Sequence, residues 1–137
     1  MKNEEIEVRL AKLEDMPFIY STWLRSYRHA AQFTKKIKND IYYDMHHKVI
    51  DRFIERGGEV FIATPKGESD VILGYIAIDT VMPVVQYIYV KKPFRKMGIG
   101  ETLYKASKAP TIFTHWTVDT DWIIKKLTNL TYNPYLV

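Results

Sequence analysis

The sequence contains no cysteine. Disulfide frameworks, thiol nucleophiles and cysteine-based zinc sites are therefore excluded. Its apolar runs are only a few residues long, far short of the roughly 20 that span a bilayer. The opening residues, Met1-Lys2-Asn3-Glu4-Glu5, lack the apolar core of a signal peptide. A cytoplasmic protein without membrane contact is the expectation, and the sequon Asn129-Leu130-Thr131 then carries no meaning. No internal repeat, low-complexity stretch or Gly/Ser linker divides the chain. Four scattered histidines form no metal pattern. His46 and His47 are adjacent, so on a helix their side chains diverge by about 100° and cannot share a metal from one face.

What is present is ordinary globular material. Of 137 residues, 47% are hydrophobic, 14% aromatic and 26% charged, enough to bury a core and to exclude disorder. The length fits a single domain over residues 1–137. The net charge of +4 is uneven: residues 91–137 carry 8 basic and 3 acidic groups. Lys91, Lys92, Arg95 and Lys96 fall close together. Such a cluster suits a polyanion, either nucleic acid or a phosphorylated cofactor, with a solvated loop as the plain alternative.

Periodicity divides the chain into elements. Ile6 to Leu10 alternates apolar and polar residues, as a half-buried strand does. Asp15 is placed to cap a helix with Pro17 in its first turn, and Ile19, Trp23 and Tyr27 form its apolar stripe. A basic loop, Thr34 to Asn39, precedes a second helix with Ile41, Met45, Val49 and Phe53 on one stripe, ended by Gly57-Gly58. Strands are predicted at Val60–Ala63, Val71–Asp79 and Val84–Val90, then a helix over Gly98–Ala109. A short strand, Thr111–Thr114, and a short helix, Thr120–Leu127, follow, and Pro134 interrupts the tail. The order β-α-α-β-β-β-α-β-α is a mixed α/β (α+β) layer.

One segment carries chemistry. Arg95-Lys96-Met97-Gly98-Ile99-Gly100 lies between a strand and a helix. Amides in a glycine-containing turn form a concave nest, and the following helix adds unsatisfied N–H groups and a positive dipole end. Glycine lets the backbone approach a pyrophosphate without an intervening Cβ. No Gly-Lys-Ser/Thr follows, which excludes a nucleotide P-loop, and the missing third glycine excludes a dinucleotide fingerprint.

The stretch Ile88 to Gly100, followed by Leu103, resembles the acetyl-CoA-binding strand and loop of the GCN5-related N-acetyltransferase (GNAT) superfamily. The order of elements over residues 6 to 127 fits as well. The resemblance implies a mixed, mostly antiparallel sheet with helices on both faces. It also implies a splayed parallel pair, the strands ending at Val90 and beginning at Thr111, with the pantetheine arm between them. Backbone groups of Ile88 and Val90 would pair with pantetheine, and the amides of Lys96 to Glu101 would hold the pyrophosphate. The implied cofactor site is Ile88, Tyr89, Val90, Arg95, Lys96, Met97, Gly98, Ile99, Gly100, Glu101 and Thr102. The short form is similar to members carried by bacteriophages.

The acceptor half departs from the family pattern. His115 and Trp116 stand where an asparagine often follows the fifth strand, and residues 122–126 hold no tyrosine. Transfer to an amine needs a proton acceptor and a donor for the departing thiolate. Asp79 at a strand end, His115 after the fifth strand and Tyr132 are the catalytic candidates, each with a structural role as its alternative. Gln86 lies where some members carry a glutamate, but an amide is no base. Trp23, Tyr27, Tyr42 and Tyr43 line either an acceptor groove or the core. Arg25, Arg28 and His29 recruit an acidic partner or are simply solvated.

The leading expectation is an N-acetyltransferase that moves acetyl from acetyl-CoA to a primary amine by direct attack. The alternative is a catalytically degenerate binding protein using its basic surface for a protein or nucleic-acid partner; nucleic acid is disfavoured, because no recognised motif is present. Space for at most one further strand implies an open acceptor side, suited to a protein lysine or N-terminus. The apolar tail, Leu130 to Val137, is expected either to mediate a homodimer or to fold back on its own sheet.

Overall fold

The computed structural model describes residues 5–121, 126 and 129–137. Six strands form one sheet in sequence order: β1 (Ile6–Leu10), β2 (Glu59–Pro65), β3 (Gly74–Asp79), β4 (Val84–Val90), β5 (Ile112–Phe113) and β6 (Thr131–Tyr132). Pairing is antiparallel from β1 to β4 and parallel from β4 through β6. This is the mixed sheet expected of the GNAT fold. Helices α1 (Met16–Ala30) and α2 (Asn39–Glu55) cover one face, and α3 (Ile99–Ala106) covers the other.

The two-residue period of the strands builds two cores. Val60, Ile62, Tyr75, Ala77 and Tyr87 pack beneath α1 and α2 with Ile19, Trp23 and Phe53. Ala63, Ile76, Ile78 and Val85 face the other way, onto Ile99 and Leu103 of α3. The stripe Ile19–Trp23–Tyr27 is buried as its spacing predicts. The stripe on α2 is turned by one position. Ile41 and Met45 are 49% and 53% exposed, while Tyr42, Ile50 and Phe53 point inward. The inward line is therefore Tyr42–His46–Ile50–Phe53, and its polar member hid it from a hydrophobicity count.

The strands β2 and β5 differ from the sequence pattern by one or two residues at each end, and β3 and α3 differ for clear reasons. β3 begins at Gly74 rather than Val71, because Val71 closes a turn onto the Glu68 carbonyl. Ile72 and Leu73 are apolar because they enter the cores, not because they extend the strand. α3 starts after Gly98, whose φ of 82° places it outside the helix. It ends at Ala106, because Lys108 and Ala109 also have positive φ and the Ser107 hydroxyl donates to the Tyr104 carbonyl. The short helix expected over Thr120–Leu127 falls largely outside the described residues.

The tail folds back on its own sheet. Thr131 donates its amide to the Thr111 carbonyl (2.7 Å) and Asn133 to Phe113 (2.9 Å), so β6 covers the edge of β5. No second copy is needed to satisfy that edge. Arg28, considered above for an acidic partner, instead straps the loop after α1 by donating to the Thr34 and Ile37 carbonyls. No helix among the described residues is long and apolar enough to cross a membrane.

Asp15 does not cap α1 through its side chain. Its carboxylate turns back to Arg9 in a two-pronged pair (2.8 and 3.2 Å) and accepts the Lys12 amide (2.7 Å). The Arg9 hydrogen bonds, against the opposing effect of burial, hold its pKa below the usual range. The stabilisation is therefore present above the unfolded-state pKa and is lost as pH falls through the lower, folded value. Asp15→Asn should cost roughly 2 kcal/mol at neutral pH, the scale of a charge-assisted hydrogen bond. The gap between wild type and variant should begin to narrow below about pH 4 and close only once the pH is below the lower, folded value. Denaturant melts at both pH values check this, and a gap unchanged in acid would contradict it.

Candidate active site

The parallel pair β4–β5 is joined only at its beginning. Val84 and Val85 lie beside Ile112 and Phe113, and the Thr114 amide closes the last bond onto the Val85 carbonyl (3.1 Å). The separation begins at a bulge. Ala77 of β3 is opposite Tyr87, whereas the next residue, Ile78, is opposite Val85, so Gln86 is an extra residue in β4. An inserted residue bends its strand and breaks the local ladder. Beyond it an apolar cleft opens, lined by Ile76, Tyr87, Ile88, Tyr104, Phe113 and His115.

The second half of β4 presents backbone groups to this opening. The Lys91 amide donates to Leu73 (2.9 Å), so by antiparallel alternation Tyr89 exchanges bonds with Tyr75. Ile88 and Val90 then turn their backbone groups away from β3, toward the splayed side. The Arg95 Nε donates to the Val90 carbonyl there (2.9 Å) and ties the loop to the strand. Gly74 makes the close β3–β4 approach possible, because a Cβ would lie 2.5 Å from the Tyr89 carbonyl oxygen.

The loop from Arg95 to Gly100 has nest geometry. Lys96 (φ 66°) and Gly98 (φ 82°) both adopt the left-handed conformation. Thr102 is the first residue of this segment whose amide closes a helical turn, onto Gly98 (3.0 Å), and its hydroxyl donates to the same carbonyl (2.9 Å). The amides of Ile99, Gly100 and Glu101 precede that bond and have no helical carbonyl to reach. On the α1 side, a groove of about 440 Å³ runs past Arg25, His29, Lys92 and Arg95, with Ser26 and Tyr89 in its wall. Donor amides, a helix N-terminus and a cationic wall match an extended phosphate-bearing ligand.

The deep end of the cleft is aromatic. Tyr87 stacks on Trp23 (5.0 Å between centroids) and bonds the Ser26 hydroxyl (2.5 Å). His115 is 4% exposed and lies edge-on to Trp23, Tyr27 and Tyr87. Its Nδ1 meets the Thr114 hydroxyl (2.8 Å) and its Nε2 meets the Nε2 of His46 (2.9 Å). Burial, reinforced by His46, pushes the His115 pKa well down, and burial takes His46 to about 4.

Asp79 lies at the other side of the bulge. Arg56 grips its carboxylate (2.7 and 3.1 Å), and Gln86 Nε2 donates to it (2.6 Å). Asp79 and His115 are thus brought into one hydrogen-bonded chain, through Gln86 and Thr114. Tyr132 is not part of it; it packs on Phe113 and Trp116 and is 38% exposed. The sequence reading missed His46 as a site residue, although its place four residues after Tyr42 on the inward line was available.

The model for the acetyltransferase (GNAT) family matches residues 16–109. The chain belongs to that family. Among solved structures, a GCN5-related N-acetyltransferase from Ralstonia eutropha is similar at 14% identity and a TM-score of 0.63, covering 89% of this chain and 90% of that one. A GCN5-related N-acetyltransferase from Rhodopseudomonas palustris gives 17% identity and a TM-score of 0.58, over 88% and 78% of the two chains. A predicted acetyltransferase with acetyl-CoA from Clostridium acetobutylicum gives 16% and 0.58, over 88% and 87%. At these identities the structures share the GNAT fold. Among curated proteins, none matches the sequence.

The GNAT site carries two histidines held neutral by burial, and this has a pH consequence. Unfolded histidines take up protons near pH 6.5, whereas His46 in the folded chain does so near 4. Between those values the unfolded state binds more protons, so stability falls as pH drops. His46→Gln should flatten the dependence of the melting temperature on pH between 7 and 5. An equally steep slope in the variant would show that His46 does not contribute.

Proposed function

We propose that the chain is an N-acetyltransferase that moves the acetyl group of acetyl-CoA to a primary amine by direct attack. The observation that carries this reading is the second half of β4, which pairs with no strand on its β5 side among the described residues, running straight into the amide nest of Lys96–Glu101. Acetyl-CoA offers the amides of its pantetheine arm to the first and its pyrophosphate to the second. Ile88 and Val90 would take the arm, with Tyr89 in the wall. Arg95, Lys96, Met97, Gly98, Ile99, Gly100, Glu101 and Thr102 would form the phosphate loop.

Such a placement brings the thioester to the deep end of the cleft, near Tyr87 and His115. Attack by the amine forms a C–N bond and breaks the C–S bond. The proton lost by nitrogen balances the one regained by the thiolate, so no further reactant is needed. Asp79, clamped by Arg56, acts in this reading by orienting Gln86 rather than by meeting the amine. Tyr132 lies on an exposed aromatic rim with Trp116, which is 44% exposed. Such a rim suits an amine presented by a protein, a lysine or an N-terminus, with Tyr132 as the candidate proton donor to the thiolate.

Calorimetric titration with CoA tests the cofactor half. Wild type should bind, and Gly98→Asp should lose binding by at least tenfold, because a Cβ and a negative charge enter the nest at a left-handed position. Thiol release from acetyl-CoA with a panel of amines and peptides tests the reaction. CoA binding without thiol release on any amine would favour a non-catalytic binding protein.

A further inference from the structure

The groove between α1 and the end of β4 is only partly used by the cofactor reading, which takes Arg95 and leaves the rest without an occupant. α1 supplies Thr22, Arg25, Ser26 and His29, spaced as one polar stripe of a helix beside the buried line Ile19–Trp23–Tyr27. Tyr89, Lys92 and Arg95 form the facing wall. Two guanidinium groups, an ammonium and an imidazole thus line about 440 Å³ of open space, with no carboxylate among them. The sequence explains why. None of the 16 acidic residues falls within residues 16–39 or 80–100, the two stretches from which the walls are drawn. Arg25 and Lys92 are exposed, and neither is in an ion pair among the described residues. The Nε of Arg25 donates to the Ser21 carbonyl of its own helix (3.3 Å), which leaves the terminal nitrogens for a ligand.

We infer that this groove holds carboxylates of the acceptor, which makes the preferred acceptor an acidic peptide; the inference rests on the transferase reading above. The pyrophosphate has its own place in that reading, at the amides that open α3, and α3 packs on the opposite face of the sheet from α1. The positive charge on the α1 face is therefore left for a second anion. Its position fits an acceptor. Tyr87 lines the aromatic cleft and bonds Ser26, which lines the groove (2.5 Å), so one hydrogen-bonded pair joins the two spaces. Tyr89 lies two residues further along the same face of β4, about 7 Å away. An extended peptide covers that distance in roughly two residues. An amine at the thioester end thus carries the side chains of its neighbouring residues to Arg25, Lys92 and Arg95. Glutamate or aspartate there meets guanidinium and ammonium donors, whereas lysine or arginine meets like charge.

Peptides with a single free amine, at an N-terminal alanine or on one internal lysine, test this when Glu-Glu, Gln-Gln or Arg-Arg stands beside the amine. Wild type should acetylate the Glu peptide with a kcat/KM about tenfold above that of the Gln peptide, the scale of a charge-assisted hydrogen bond, and the Arg peptide least. The preference should shrink at high salt. Arg25→Glu and Lys92→Glu, both at exposed positions, should each raise KM for the Glu peptide about tenfold and leave the Kd for CoA unchanged. Equal rates on the Glu and Gln peptides, or acetylation of free amines but of no peptide, would overturn the inference. Free glutamate acetylated as efficiently as the Glu peptide would overturn the choice of a peptide. CoA binding weakened by Arg25→Glu would give the groove to the cofactor, and an oligonucleotide bound there more tightly than the Glu peptide would give it to nucleic acid; either result overturns the inference. A wild type that binds CoA but acetylates no amine would overturn the transferase reading. The groove is then judged by titrating the Glu and Gln peptides into the CoA complex, where tighter binding of the Glu peptide supports it and equal binding overturns it.

Discussion

Gln86 is an extra residue in the middle of β4, and its amide is 1% exposed. A buried amide without partners costs more than most single contacts contribute, so its surroundings are constrained. Asp79 at the end of β3, Thr114 after β5 and the Leu136 carbonyl in the tail each supply a partner. The same insertion that must be satisfied marks the point beyond which β4 no longer pairs with β5. The cleft, the exposed β4 edge and the placement of His115 all follow from that one residue. Arg56 completes the arrangement, because an unpaired Asp79 beside the amide would be a costly neighbour.

The two ends of the cleft are built differently, and the difference matches their chemistry. At the loop end, where the proposed reading puts the phosphates, the groups on offer are backbone: left-handed Lys96 and Gly98, and the first amides of α3. Side chains there add charge but little shape. At the aromatic end, where the same reading puts the thioester, side chains close the space, with Trp23, Tyr27 and Tyr87 around His115. The buried Trp23 indole N–H has no hydrogen-bond partner among the described residues. Its cost is accepted where a flat ring is needed to stack against Tyr87.

Legibility in the sequence followed the range of the interactions. β4 and the loop before α3 could be read directly, because strand composition, a basic bend and glycines act over a few neighbouring residues. The inward face of α2 was misread by one position, because His46 occupies a core line that a count of apolar residues skips. Gln86 was visible only as an amide in a strand; its insertion depends on the register between β3 and β4, which no local pattern states. The chain from Asp79 to His46 joins β3, β4, α2 and the segment after β5, so its members are unrelated until the sheet assembles. Asp15 shows the same limit in miniature, a helix-cap residue by position whose carboxylate is claimed by Arg9 on a strand.

The central claim is that the freed β4 edge and the loop before α3 together hold acetyl-CoA. Hydrogen exchange followed by mass spectrometry, with and without saturating CoA, examines both at once. The account predicts slowed exchange in peptides covering residues 87–102, with β1 and β2 unchanged. Protection that fell on other segments, or on the loop without β4, would contradict it.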